Sequence, residues 1–249
     1  MTFAHSIGDN MIIDARQYTN EDLNNTVRQC ASQVQIDNCL GQRFIGAGLS
    51  GKKITVNGTP GNALGAYLNG ADIVVNGNAQ DAVGDTMNEG CIFIHGNTGD
   101  AAGYAMRGGK IYVEGNAGYR AGIHMKAYKQ KLPVMIIGGR CGSFLGEYLA
   151  GGIIVVLGMN TDGKKIVGNF PCTGMHGGKV YLRTTDNSID FPSQVNTHKA
   201  TKEDMQEIIP YLEEFCKVFG KNPDELLKEG FTVVSPNTAN PYKQMYVTN

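Results

Sequence analysis

The chain has 249 residues, a formal net charge of −1 and a sequence pI near 6.5, with lysines and arginines scattered rather than clustered. That balance gives neither the basic stripe of a nucleic-acid-binding surface nor the polybasic patch that holds a protein to anionic lipid. No segment approaches the roughly eighteen apolar residues of a membrane span, and residues 1–5 lack the basic region and apolar run of a secretion signal, so a cytoplasmic protein is expected.

Residues 1–17 show no pattern that predicts an element. Thr19 or Asn20 caps a helix expected over about residues 20–32, with Glu21 and Asp22 in its first turn and Leu23, Val27 and Cys30 on one face. Val34-Gln35-Ile36-Asp37-Asn38 alternates as a strand does.

From there a period takes over. Ile54-Thr55-Val56-Asn57-Gly58 returns as Ile73-Val74-Val75-Asn76-Gly77, Ile92-Phe93-Ile94-His95-Gly96 and Ile111-Tyr112-Val113-Glu114-Gly115, each nineteen residues after the last. Gly46, Gly65, Gly84, Gly103 and Gly122 keep the same step. After an insertion the unit resumes at Met135-Ile136-Ile137 and Ile154-Val155-Val156, then at Val180-Tyr181-Leu182, giving at least seven copies. A unit this short cannot hold a helical hairpin, so each must bury its apolar side against its neighbours as strands. Two more apolar columns run at the same step, Leu64, Val83, Ala102, Ala121, Leu145 and Leu68, Met87, Met106, Met125, Leu149. Three inward columns separated by glycine corners describe a three-sided coil. Stacked at about 4.8 Å, seven coils make a rod roughly 34 Å long. The expected fold is an all-β solenoid, a parallel β-helix, with short helices capping its ends.

The outward positions of the repeating strand are Thr55, Val74, Phe93, Tyr112, Ile136, Val155 and Tyr181. Most are large and apolar, so either the C-terminal helix or a partner should cover them. Gly46-Ala47-Gly48-Leu49-Ser50-Gly51 satisfies a dinucleotide-binding pattern, but these glycines precede a strand instead of opening a helix, so it is read as a corner. His95 and His124 fall in different columns, and the Met87, Met106, Met125 ladder reads as core. Insertions at residues 126–133 and 161–167 widen two coils. The six cysteines lie singly, without the close pairs of iron–sulfur or structural zinc sites, and are expected to be reduced thiols. No catalytic, cofactor-binding or metal-ligating residue is assigned.

After Leu182 the period stops. Thr201 begins an amphipathic helix carrying Met205, Ile208, Ile209, Leu212 and Phe215 on one face and ending near Gly220, with a kink or break expected at Pro210. Asn222-Pro223 starts a short helix through Leu227, and the tail reads as an extended arm whose Phe231, Val233, Tyr242 and Tyr246 lie against something. The expected division is residues 1–33 as arm and capping helix, 34–185 as β-helix, and 186–249 as C-terminal helices and arm.

Asn38-Cys39-Leu40-Gly41-Gln42-Arg43-Phe44-Ile45-Gly46, the glycine repeats and Gly174-Met175-His176-Gly177-Gly178 together resemble the C-terminal β-helix domain of the glutamate synthase large subunit, over residues from about 34 to 246. Phe231-Thr232-Val233 and Pro241-Tyr242 resemble its stand-alone archaeal and bacterial forms, and the glycine-repeat solenoid of formylmethanofuran dehydrogenase is a more distant likeness. The resemblance implies a right-handed β-helix without catalytic residues, which scaffolds a glutamine amidotransferase-like part and a part holding FMN and an iron–sulfur cluster, for glutamate biosynthesis in nitrogen metabolism. The chain opens on Met-Thr rather than a cysteine nucleophile and shows neither a (β/α)₈ pattern nor a cluster-binding cysteine run, so one subunit of a split oxidoreductase is expected. An N-methylglutamate synthase subunit and a formylmethanofuran dehydrogenase-type scaffold remain alternatives, as does a stand-alone β-helix enzyme acting in acyl transfer or on polysaccharide. Self-association is left open.

Overall fold

The computed structural model describes residues 4–7, 10–30, 32–186 and 188–237. Its frame is one 12-stranded sheet. In chain order it contains β1 (Ala4–Ile7), β2 (Asn10–Asp14), α1 (Asn20–Gln29), β3 (Gln33–Leu40), β4 (Lys53–Thr59), β5 (Asn69–Asn76), β6 (Glu89–Ile94), β7 (Lys110–Val113), β8 (Val134–Ile137), β9 (Ala150–Val156) and β10 (Gly177–Leu182). There follow β11 (Val195–Lys199), α2 (Lys202–Phe219), α3 (Pro223–Leu227) and β12 (Thr232–Pro236). Strands β2 to β10 are parallel neighbours in sequence order, as a β-solenoid requires.

The nineteen-residue period becomes register. Ile54 pairs with Ile73, Ile73 with Ile92, Ile92 with Ile111, Ile111 with Met135 and Met135 with Ile154, so like side chains stack on like and all are buried. Because strand side chains alternate, a slip of one residue would turn this aliphatic row out into water. The two further columns are buried as the pattern predicts, Met87, Met106 and Met125 included.

The other two sides of each coil are not regular strands. On one, single parallel bridges link Ala79, Thr98, Ala117, Cys141 and Val167. Asparagine ladders reinforce it: Asn97 N donates to Asn78 Oδ1 at 2.8 Å and Asn116 N to Asn97 Oδ1 at 2.7 Å; at the corner where this side meets the next, just before the positive-φ Ala82 and Ala101, Asp100 N donates to Asp81 Oδ1 at 2.9 Å. On the other side the chain makes tight turns with positive φ, at Gly46, Gly65, Gly84, Gly103 and Gly122 (φ +64 to +76°) and at non-glycine residues such as Phe44, Tyr67, His124 and Tyr148. The last four send their N–H groups to Asn62, Asp85, Glu147 and Thr173 one coil on, so these turns also hold the stack together.

Three expectations need correction. The stretch before Thr19, where the sequence shows no pattern, supplies two strands: β1 pairs antiparallel with β2, and β2 sets Met11 and Ile13 in register with Val34 and Ile36. The pattern was hidden because α1, capped by Thr19 and burying Leu23 and Val27, replaces the rest of that coil and breaks the step. Second, Pro210 does not break α2, which runs 18 residues from a Thr201–Asp204 capping box to Gly220; Pro210 lies on the exposed flank while the opposite stripe is packed. Third, the segment after Leu182 supplies two strands, β12 antiparallel to β10 and β11 antiparallel to β12. Phe231 and Val233 are buried there as the arm predicts, whereas Tyr242 and Tyr246 lie outside the described residues. Among the described residues no helix is long and apolar enough to cross a membrane.

Candidate functional site

Helix α2 answers the question posed by the outward row. Ile208, Leu212, Phe215, Cys216 and Phe219 form a second buried cluster with Tyr112, Ile136, Val155 and Tyr181. Polar clamps fix its register. Lys110 Nζ and Tyr112 OH both bond Glu214, at 2.6 and 2.8 Å, and Lys179 Nζ and Tyr181 OH both bond Glu207, at 2.7 and 2.6 Å. Sequence reasoning missed these clamps, although a Lys-x-Tyr recurring on two strands and two glutamates seven residues apart, two turns on a helix, would have signalled them. Burial and the bond to Glu214 push the Tyr112 hydroxyl well above its usual range, and burial and Glu207 do the same for Tyr181. These tyrosines therefore act as hydrogen-bond donors. The cover is partial: Thr55, Val74 and Phe93, on strands before the helix reaches, stay half-buried.

The start of α2 is pinned by Asp204, only 7% exposed. Burial opposes its ionisation, but hydrogen bonds from the Thr201 backbone, His198, the Thr201 hydroxyl and Lys179 outweigh it and hold the carboxyl well below the usual carboxylate range. A depressed folded-state pKa stabilises the fold fully above the ordinary carboxylate value, and the contribution fades as pH falls toward the folded value. Asp204→Asn should therefore cost about 2 kcal/mol at neutral pH and flatten the acid limb of a urea-midpoint profile. Parallel acid limbs for the variant and the wild type would refute this role.

At the far end of α2, Gly220 (φ +63°) reverses the chain and sets Lys221 over a groove of ≈ 620 Å³. Lys221 Nζ lies 2.7 Å from Glu114 Oε1, His95 Nδ1 lies 3.5 Å from Glu114 Oε2, and the His95 ring packs edge-on against Phe219 at 4.9 Å. Arg183 reaches the Leu157 carbonyl at 2.6 Å and Glu229 at 3.3 Å. These charges meet their opposites, so the polar cluster fastens the helix end to the solenoid corner. His124 is elsewhere, stacked on Tyr148 at 5.1 Å. Among the described residues no three His, Cys, Asp or Glu side chains converge to hold a metal ion.

The glycine-rich stretch at residues 46–51 is a corner. The Gly48 and Gly51 N–H groups, which in a phosphate loop would point at an anion, donate to the Ala66 and Gly70 carbonyls of the next coil. All six cysteines are free thiols. Burial raises every one of them, Cys39 and Cys91 to about 11 and Cys172 to about 12. With so little thiolate at neutral pH, the native protein should react with a disulfide reagent at least tenfold more slowly than the urea-unfolded chain. A rapid native phase of one thiol per chain would contradict the burial.

The model of the GXGXG motif family matches residues 6–238. The chain belongs to that family. It is the family of the glutamate synthase C-terminal domain, to which the glycine repeats bear their resemblance. An uncharacterised protein of Methanocaldococcus jannaschii is 40% identical over 252 residues, spanning 96% of this chain and 97% of that one. A chain in the crystal structure of the formyltransferase/hydrolase complex of Methylorubrum extorquens, solved with methylofuran, superposes with a TM-score of 0.59 at 19% identity. That match covers 90% of this GXGXG chain and 89% of the other, and it shows that the two share a fold.

Proposed function

We propose that this chain is the non-catalytic scaffold subunit of a cytoplasmic, glutamate-synthase-like complex that assimilates ammonia for glutamate biosynthesis. In this reading it docks a glutamine amidotransferase-like subunit and a second one that holds FMN and an iron–sulfur cluster. The observation that carries it is the family match, which runs over residues 6–238. The internal chemistry supports it: the asparagine ladders, the Lys-x-Tyr clamps and the Glu114 cluster tie coil to coil and helix to sheet instead of lining a reaction centre. The test is affinity purification of the tagged chain from its own host. Stoichiometric recovery of amidotransferase-like and flavin-bearing subunits is expected, with glutamine-dependent glutamate formation by the complex. Purification as a lone monomer with no associated subunit would overturn the reading.

A second reading is favoured by the shared fold with a chain of a formyltransferase/hydrolase complex. There the co-purifying subunits would be of molybdenum- or tungsten-protein and amidohydrolase-like type, and the preparation would show no flavin spectrum. An N-methylglutamate synthase would keep the flavin but form its product from methylamine.

A further inference from the structure

We propose that the side of the rod built from positive-φ turns is the docking surface for a partner subunit, and that it takes a segment of that subunit presenting arginine side chains. The inference rests on the scaffold reading and names the face that reading needs.

Among the described residues, most of the exposed large apolar side chains gather on this one side. Phe44 is 55% exposed, Tyr67 58%, Tyr104 40%, Tyr119 54%, Tyr148 38% and Phe170 60%. Rings of this kind, set among small residues, are the anchors that dominate protein interfaces. Their backbone makes the placement harder to explain by folding alone. Phe44, Tyr67, Tyr148 and Phe170 hold φ of +60, +57, +53 and +57°, a region that suits glycine or asparagine and disfavours bulky side chains. The turn position of Phe44 and Phe170 is met in other coils by Ala63, Ala82 and Ala101, and that of Tyr67 and Tyr148 by Thr86 and Ala105, so the coil itself does not need a ring at either. Strained residues whose side chains point into water suggest that the rings are kept for something outside the chain.

The charge on this side says what kind of partner fits. Asp81, Asp85 and Asp100 lie among the rings, and among the described residues none of them forms an ion pair. They would repel a nucleic acid and attract a cation. The face also shows the mode in which it takes one: the Arg120 guanidinium sits 5.5 Å over the Phe144 ring while its Nε lies 3.3 Å from Glu147, and Phe144 in turn stacks on Phe170 at 5.4 Å. Stacking on a ring while pairing with a carboxylate is arginine chemistry, which the compact ammonium of lysine reproduces poorly. Tyr67 N donates to the Asp85 carbonyl at 2.7 Å and Tyr119 N donates to Asp100 Oδ1 at 2.8 Å, so acidic residues also stand beside two further rings.

The test uses the full chain expressed in its own host, as wild type, as Phe44→Asn/Tyr67→Asn/Phe170→Asn, and as Asp81→Asn/Asp85→Lys/Asp100→Asn, in which the two asparagines keep the acceptor oxygens of the ladder. Asparagine tolerates the left-handed turn, so the isolated ring variant should melt at or above the wild-type temperature while recovering its partner subunits at least tenfold less well. The charge-altered variant should lose recovery too, and wild-type recovery should fall with added salt. Partner subunits recovered undiminished by both variants would show the face to be wrong and leave the scaffold reading standing. A ring variant that melts lower would assign the rings a structural role and overturn the proposal. Dimers of the isolated wild-type chain that the ring variant breaks would make the occupant a second copy, and this too would overturn it. If the wild type recovers no partner at all, the scaffold reading falls and takes this inference with it.

Discussion

Gly90→Ala should unfold the solenoid at far lower urea than any surface substitution, with an expected loss on the order of 4 kcal/mol. Gly90 opens β6 at φ +98°, and a Cβ there would lie 2.1 Å from the Ala71 carbonyl oxygen and 3.0 Å from its nitrogen. Both obstacles are main chain, and Ala71 is itself buried in the preceding coil, so neither can swing aside as a side-chain tip could. Separating them means prising two stacked coils apart, and that disturbance passes to every coil in register with them. The comparison that isolates packing from backbone strain is Gly51→Ala. Gly51 has φ +63° with nothing within 4 Å of the added carbon, so only the conformational penalty of about 1–2 kcal/mol remains. Matched losses for the two variants in equilibrium unfolding would show that the close approach of the coils does not matter.

Phe215→Ala carries the second large effect, about 3–5 kcal/mol. The ring is fully buried, meets Tyr112 edge-on at 6.2 Å and packs against Phe219 at 4.8 Å. Its removal takes away the centre of the apolar contact that holds α2 on the outer sheet face. The inner core, from Ile54 to Leu182, forms a separate cluster and keeps its own packing. Amide exchange in α2 should therefore accelerate well before exchange in β4–β9, and a hydrophobic dye should bind as Tyr112, Ile136, Val155 and Tyr181 come into contact with water. Uniform acceleration across sheet and helix would mean instead that α2 and the solenoid fold as one cooperative unit.

The strands and their register were legible in the sequence because Ile-x-Val triplets at a strict step leave one arrangement that buries every aliphatic side chain. The covered outer row was legible for the related reason that Tyr112, Ile136, Val155 and Tyr181 are too apolar to face water. What stayed hidden lacked either a period or an apolar signature. Met11 and Ile13 match the strand pattern, but α1 stands between them and the next copy. Pro210 argues locally for a break, and the packing of Leu212 and Phe215 overrides it. The Glu207 and Glu214 clamps join residues far apart in sequence, and their one signal, the repeated Lys-x-Tyr set against two glutamates seven residues apart, emerges only when strand and helix are read together. Left-handed phenylalanine and tyrosine run against local preference, so no propensity argument places Phe44 or Tyr67 in a turn.

The two ends of the sheet are finished differently from its middle. β1 runs against β2 at one end, and β12 and β11 reverse direction beyond β10 at the other. The outermost strand at one end, β1, runs against the stack, and at the other end the reversed strand β12 separates the outermost strand, β11, from β10, so the uninterrupted parallel ladder stops before both tips. The parallel stack therefore has a set number of rungs: the period that fixes its register inside the chain is not carried on by the strands at its two tips.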